Sequence, residues 1–180
     1  MAAARQAIAE RGPRRLTLSA VAAAAGVSRP TLYRWFPTKD DLLAAVTTVE
    51  KQQFDVGLEI AIESHRAPAR RLDAALRYLV LYLDASKGPN PIGVDPAYAL
   101  QSLERMLTPQ VDALVRLLDD ALDEIPSVGC GQITRDQAAE VLVRLAYSHY
   151  VVPSAEPEML LMTIRRFAGL ATRSLRQAAG

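Results

Sequence analysis

The sequence predicts an all-α chain of about nine helices. Three observations carry this. Apolar residues recur at steps of three and four over long stretches, no stretch alternates with period two between hairpin turns, and Gly and Pro fall between the periodic segments. Of the 180 residues half are hydrophobic, which is enough for a sizeable core and too apolar for an intrinsically disordered chain.

The elements follow in order. A short first helix ends at Gly12-Pro13. Thr17 is placed to N-cap a second helix whose Val21 and Ala22 point inward, with Ala22 and Ala25 small enough for a close crossing. Gly26 supplies the positive φ of a tight turn, and Ser28 caps a third helix with Pro30 in its first turn. Leu32 and Phe36 face the core, and Pro37 closes this helix. Thr38 caps a fourth helix running towards Ser64, and Asp41 at its third position resembles a capping box with Asp in place of Glu. After a break over 65–68, Leu72, Ala75, Leu76, Leu79 and Leu83 stripe a helix over 68–85. Residues 87–93 read as a loop. Thr108-Pro109 puts Pro at the favoured first position of a helix over 108–125, striped by Val111, Leu114, Val115, Leu118 and Leu122. A loop over 127–131 precedes a helix opened by Thr134 or Arg135 and ended at Val152-Pro153. Pro157 starts the last helix, expected to reach about residue 176.

The net charge of +1 conceals a division. Residues 1–47 carry seven basic and three acidic side chains, a balance of +4, which leaves −3 on the remainder. A basic head on a mildly acidic body points to a polyanion meeting one end. The single cysteine, Cys130, excludes an intrachain disulfide framework and suits a reducing compartment. No apolar run approaches the ~18 residues of a membrane span, and the N-terminus does not read as a signal peptide. The expectation is a cytoplasmic protein that does not enter a membrane. There is no nucleophile elbow, P-loop, zincin motif or complete dinucleotide fingerprint, so neither an enzyme, a cofactor nor a metal site is expected. Asp119, Asp120, Asp123 and Glu124 read as a solvated helix face, Cys130 as a loop thiol, and His65 and His149 as structural.

Residues 16–43 carry the chemistry. Two helices joined by a short Gly-containing turn form a helix–turn–helix, whose second helix can lie in a major groove. That helix leaves Arg29, Thr31, Tyr33 and Arg34 outward or lateral and Trp35 at the rim. Arg donates two hydrogen bonds to guanine, a Thr methyl meets a thymine methyl, and Tyr and Lys suit phosphate oxygens. Lys39 sits at a helix N-terminus, where dipole and charge both attract phosphate.

The run from Gly26-Val-Ser through Thr31-Leu-Tyr, Trp35-Phe and Lys39-Asp-Asp-Leu-Leu43 resembles the recognition helix and the start of helix four in TetR-family transcriptional regulators. The resemblance covers about residues 5–47; residues 48–180 match only in helix number and length. It implies a helix–turn–helix DNA-binding domain over 1–47 and a helical ligand-binding and dimerisation domain over 48–180. It further implies that Arg29, Pro30 and Thr31 approach bases or nearby phosphates. Tyr33, Arg34 and Lys39 would contact the backbone, and Thr17 and Ser19 would reach from the preceding helix. Ser28 joins this set at the helix start; Trp35 suits packing and phosphate contact equally. Two departures stand out. The first helix is short, with no N-terminal arm for a minor-groove contact, and a small Ser19 shifts specificity onto Arg29 and Thr31.

One such motif reads few base pairs, so a homodimer on a palindromic operator of double-stranded DNA is expected, with recognition helices ~34–36 Å apart. The interface is placed on the last two helices, with Leu142, Leu145, His149, Leu160, Ile164, Phe167, Ala168, Ala171 and Leu175; Ala168, Gly169 and Ala171 suit close packing. Either stripe alone could instead complete a monomer core. A small apolar or amphipathic effector is expected among the central helices, with Phe54, Leu58, Tyr78, Tyr82, Tyr98, Met106, Leu114, Leu118 and Tyr147 as lining. Singly, each of these suits a core position better than a ligand contact. Helix four is the expected lever, and the family's habit favours repression by an operator-bound form that the effector releases. The competing reading is a ligand-sequestering or protein-binding helical module without operator binding.

Overall fold

A computed structural model describes residues 1–86, 91–152 and 156–170. Among them lie ten α-helical segments and no strand. These are α1 (Ala2–Arg11), α2 (Leu18–Ala24), α3 (Arg29–Trp35), α4 (Lys39–Glu63) and α5 (Pro68–Ser86), followed by α6 (Pro91–Val94), α7 (Pro96–Leu118), α8 (Pro126–Gly129), α9 (Arg135–Val151) and α10 (Pro157–Phe167). Pro13–Arg15 and Asp119–Glu124 are 3-10 turns. Since α6 and α8 are single turns, the chain has the all-α architecture that its periodicity predicts.

The chain divides into two compact units, residues 1–53 with 87–104 and residues 54–86 with 105–180. The first unit has a small core of Ala4, Leu16, Leu18, Val21, Ala22, Leu32, Leu42 and Val46, with Ile8, Val27, Phe36 and Leu43 packed against it. Such a core is possible because α1 and α2 are Ala-rich and let neighbouring backbones approach. Val21, Ala22, Leu32 and Phe36 sit as their spacing predicts. Ala25 does not: it is exposed, at the C-cap of α2, so only Ala22 works as a close-packing residue. α1 stops at Gly12, whose φ of 72° is open to glycine, and a Cβ there would lie 3.1 Å from the Asp95 Cβ. Asp95 also accepts from the Tyr98 N–H at 3.1 Å, capping α7, and faces Arg14 Nε at 3.8 Å. These contacts tie the 91–104 segment to the first helix.

The second unit is larger and more apolar. Leu72, Ala75, Leu76, Leu79 and Leu83 of α5 are all buried, as their spacing requires. They pack with Phe54 and Leu58 of α4, Ala113, Leu114 and Leu118 of α7, Val143 and Ala146 of α9, and Leu161 and Ile164 of α10.

Several sequence expectations are corrected. No helix begins at Pro109, which lies inside α7. Buried residues on both sides of it, Met106 and Gln110 among them, hold the turn together where one hydrogen bond is lost. The α-helical run ends at Leu118 rather than near 125, because Asp119 adopts a φ of 43° and a 3-10 stretch follows. Asp is among the few non-glycine residues that tolerate this region. Residues 91–94 and 126–129, which overlap the segments read as loops over 87–93 and 127–131, are helical turns. Along α10 the helix stops at Phe167, two residues before Gly169 at φ 75°; a Cβ on Gly169 would lie 2.6 Å from the Pro126 ring. Its smallness therefore serves an approach within one chain. Ala171 and Leu175 lie outside the described residues.

Candidate nucleic-acid interface

The recognition segment is built from local hydrogen bonds. Thr17 Oγ1 accepts from the Ala20 N–H at 3.1 Å and starts α2. Gly26, at φ 67°, makes the turn; nothing lies within 4 Å of where its Cβ would be, so backbone conformation alone demands glycine there. The Val27 N–H then closes onto the Ala22 carbonyl at 3.0 Å. Ser28 Oγ accepts from the Thr31 N–H at 3.2 Å, and the two hydroxyls share a further hydrogen bond at 2.8 Å. Pro30 stands in the first turn, where its missing N–H costs little. Leu32 is the buried anchor of α3 and Phe36 packs beside it. The rest of the helix is outward: Arg29, Pro30, Tyr33, Arg34 and Trp35 are exposed, Trp35 to 55%.

Exposed Tyr33 and Trp35 beside Arg29 and Arg34 give this helix a basic, partly aromatic outer face. Both arginines are planar donors suited to guanine edges or phosphates. Thr31 is half-buried and its hydroxyl is held by Ser28, which leaves its methyl for contact. Thr17 and Ser28 are exposed, with their hydroxyls engaged as caps; Ser19 is half-buried.

Lys39 makes a contact that its position in the sequence does not disclose. Its Nζ donates to the Pro13 carbonyl at 3.3 Å, bracing the 3-10 turn against the start of α4. The predicted capping box at that start is present: Asp41 Oδ2 accepts from the Thr38 N–H at 2.9 Å, and Thr38 Oγ1 accepts from the Asp41 N–H at 3.1 Å. Arg14 and Arg15 on the braced turn are exposed, and sequence reasoning did not single them out. Their signal was a pair of adjacent basic residues just ahead of the Thr17 cap.

The expected ligand-lining residues fall in both units. Tyr98 belongs to the N-terminal unit; Phe54, Leu58, Tyr78, Tyr82, Met106, Leu114, Leu118 and Tyr147 belong to the other. Of these the structure brings Phe54, Tyr78 and Tyr82 together, with ring centroids 5.1–5.7 Å apart. Tyr78 Oη donates to the Phe54 carbonyl at 3.1 Å, and Tyr147 Oη donates to buried Gln110 at 2.9 Å. Burial pushes both phenols above their ordinary range, Tyr82 and Asp55 adding to this at Tyr78, and Tyr82 at Tyr147. Gly57 makes the arrangement possible: a Cβ there would lie 2.7 Å from Tyr78 Cζ and closer still to its hydroxyl oxygen.

Of the residues expected at a dimer interface, Leu142, His149, Ile164 and Ala168 are buried within the chain, and Leu145 and Leu160 are partly buried. Phe167 is 79% exposed. His149 Nε2 lies 3.4 Å from Asp84 Oδ1. The acidic set read as a solvated face is organised by arginines. Arg71 pairs with Asp120 at 2.9 Å, and Arg135 pairs with Asp123 at 2.6 Å and with Asp119. Among the described residues no group of His, Cys, Asp and Glu is arranged to hold a metal, and no helix is long and apolar enough to cross a membrane.

A basic three-helix head with an outward third helix, carried on an all-helical chain, is a helix–turn–helix arrangement. Residues 1–46 match the family model described as bacterial regulatory proteins, tetR family. Solved structures share its fold. Apo AibR superposes with a TM-score of 0.58 at 16% identity, covering 90% of this chain and 92% of that one. The TetR family repressor AlkX from Dietzia sp. strain DQ12-45-1b, implicated in biodegradation of n-alkanes, gives 0.53 at 24% identity, covering 95% and 92%. RolR without ligand gives 0.54 at 17% identity, covering 93% and 87%. No curated protein matches the sequence.

Proposed function

We propose that this protein is a cytoplasmic transcriptional repressor that binds a palindromic operator as a homodimer and lets go when a small apolar or amphipathic effector binds its body. On this reading residues 1–47 read DNA, and residues 48–180 bind the effector and the second chain. The observation that carries it is the outward face of α3, where Arg29, Tyr33, Arg34 and Trp35 stand exposed on a helix fixed from beneath by Leu32. Arg29 and Thr31 read bases; Tyr33, Arg34 and Lys39 hold phosphates; Thr17 and Ser19 contribute from α2. Apolar side chains left exposed on α9 and α10, Val141, Met159, Met162 and Phe167, support a dimer surface there. The effector acts by preferring the form whose recognition helices are wrongly spaced, which requires several kcal/mol of differential affinity.

Selection of bound fragments from random DNA by the purified protein tests the reading. The expected product is an inverted repeat with half-sites one helical turn, about 34–36 Å, apart and a strongly salt-dependent affinity. A strictly monomeric protein, or recovery of no preferred sequence at low salt, refutes it.

A further inference from the structure

Between Glu10 and Asp40 the chain carries no carboxylate, while Arg11, Arg14, Arg15, Arg29, Arg34 and Lys39 all fall in that stretch. Arg14 and Arg15 close the 3-10 turn ahead of α2, and the turn is held from within. Gly12 and Pro13 before them and Leu16 after them are buried, and the Leu16 N–H closes onto the Pro13 carbonyl at 3.2 Å. The same carbonyl accepts from Lys39 Nζ at 3.3 Å. The turn before α2 and the segment after α3 therefore meet, and three cationic side chains gather at one turn. Gathering like charges costs free energy that a bridging anion returns. An arginine fork matches the oxygens of a phosphate, and a turn already held by buried neighbours loses little freedom on binding one.

A carboxylate reaches this turn from far along the chain. Asp95 Oδ2 lies 3.8 Å from Arg14 Nε, while its Oδ1 accepts from the Tyr98 N–H at 3.1 Å. The Arg14 side chain is 83% exposed, and an ion pair this open contributes little, so exchanging it for a phosphate is cheap. Arg15 is exposed beside it.

We propose that Arg14 and Arg15 bind the phosphate backbone of duplex DNA next to Lys39, and that Asp95 competes with the phosphate for Arg14. The site rests on the operator-binding reading above. It adds a contact outside the helix–turn–helix, restrained by a carboxylate at the start of α7.

The test is binding of the full chain to the fragment recovered by selection and to a mixed-sequence duplex, each over a range of salt concentrations. Arg15→Gln should weaken both duplexes alike and flatten the slope of log affinity against log salt by about one unit. Arg14→Gln should do the same to a smaller degree, since wild type gives up the Asp95 pair on binding. Asp95→Asn keeps the oxygen that caps α7 and removes the charge. It should tighten binding and enlarge the loss caused by Arg14→Gln. Arg77→Gln, the same change of charge at an exposed position of α5, controls for net charge and should leave the slope as it is. Thermal melts establish that each variant is folded.

Slopes for Arg14→Gln and Arg15→Gln that match wild type, or that shift no more than Arg77→Gln, overturn the site. Additive effects of Asp95→Asn and Arg14→Gln overturn the competition. The operator reading fails separately. A wild-type protein that binds no duplex at low salt refutes both, whereas loss of base preference in Arg29→Ala with wild-type behaviour of the turn variants removes the turn site alone.

Discussion

The two units spend their polar side chains differently. In the N-terminal unit the capping hydroxyls of the helix–turn–helix act three residues away: Thr17 on Ala20, Ser28 on Thr31, Thr38 on Asp41. In the other unit Tyr78 reaches Phe54, 24 residues back, Tyr147 reaches Gln110 over 37, and Arg165 grips Asp73 at 2.5–2.6 Å over 92. Locally closed hydrogen bonds leave the outer face of α3 free for a partner. Long-range ones bind α4, α5, α7, α9 and α10 into a body whose core includes polar groups. On the proposed function, a reading head benefits from the first arrangement and an effector-binding body from the second.

Core truncation should break this contrast most severely. Leu76→Ala is expected to cost ~2–5 kcal/mol in denaturant unfolding while leaving the operator affinity of the folded protein intact. Leu32→Ala, in the much smaller head core, should abolish operator binding, since it removes the anchor of α3. Equal effects of the two on DNA binding would erase the distinction.

Gly57→Ala comes next. Helix propensity favours Ala by ~1 kcal/mol, yet overlap with the Tyr78 ring should make the substitution destabilising by ~1–3 kcal/mol. In a Tyr78→Ala background the sign should reverse, and a double-mutant cycle of melting curves reads this directly.

At the head, Arg29→Ala should lose ~1–3 kcal/mol at one base pair and relax preference there. Lys39→Ala should weaken all sequences alike and flatten the salt dependence by about one unit. An unchanged slope would assign Lys39 wholly to bracing Pro13.

The smallest effect concerns Asp123. The hydrogen bond from Arg135 is the main reason its carboxyl lies below the ordinary range, while Arg135 is pushed further up by the same partner. A depressed carboxyl stabilises the fold above its unfolded value of ~3.9 and loses that contribution as pH falls through the folded value. Asp123→Asn should therefore lower the melting temperature slightly at neutral pH, and the difference from wild type should close on acidification. A gap that persists in acid would mean that packing, not charge, links this turn to α9.

What could be read in advance tracks the same contrast. The caps at Thr17, Ser28, Thr38 and Thr134, the Gly26 turn and the buried spacing of α5 are set by neighbours a few positions away, and all are present. Pro109 misled because a proline prefers a helix start, and only buried side chains on either side of it decide otherwise. Gln110, Asp55 and Gly57 gave no warning, since each acquires its meaning from a tyrosine or arginine on another helix. Leu142 and Ile164 showed an apolar stripe, but which surface the stripe meets is decided by the tertiary arrangement.

The tie between Gly12, Arg14 and Asp95 has a consequence for biosynthesis. Because residues 91–104 belong to the N-terminal unit, that unit is interrupted along the chain by 33 residues of the other. The segment that gathers around Arg14 therefore emerges from the ribosome well after the recognition helix has been made, so the head is assembled early and completed late.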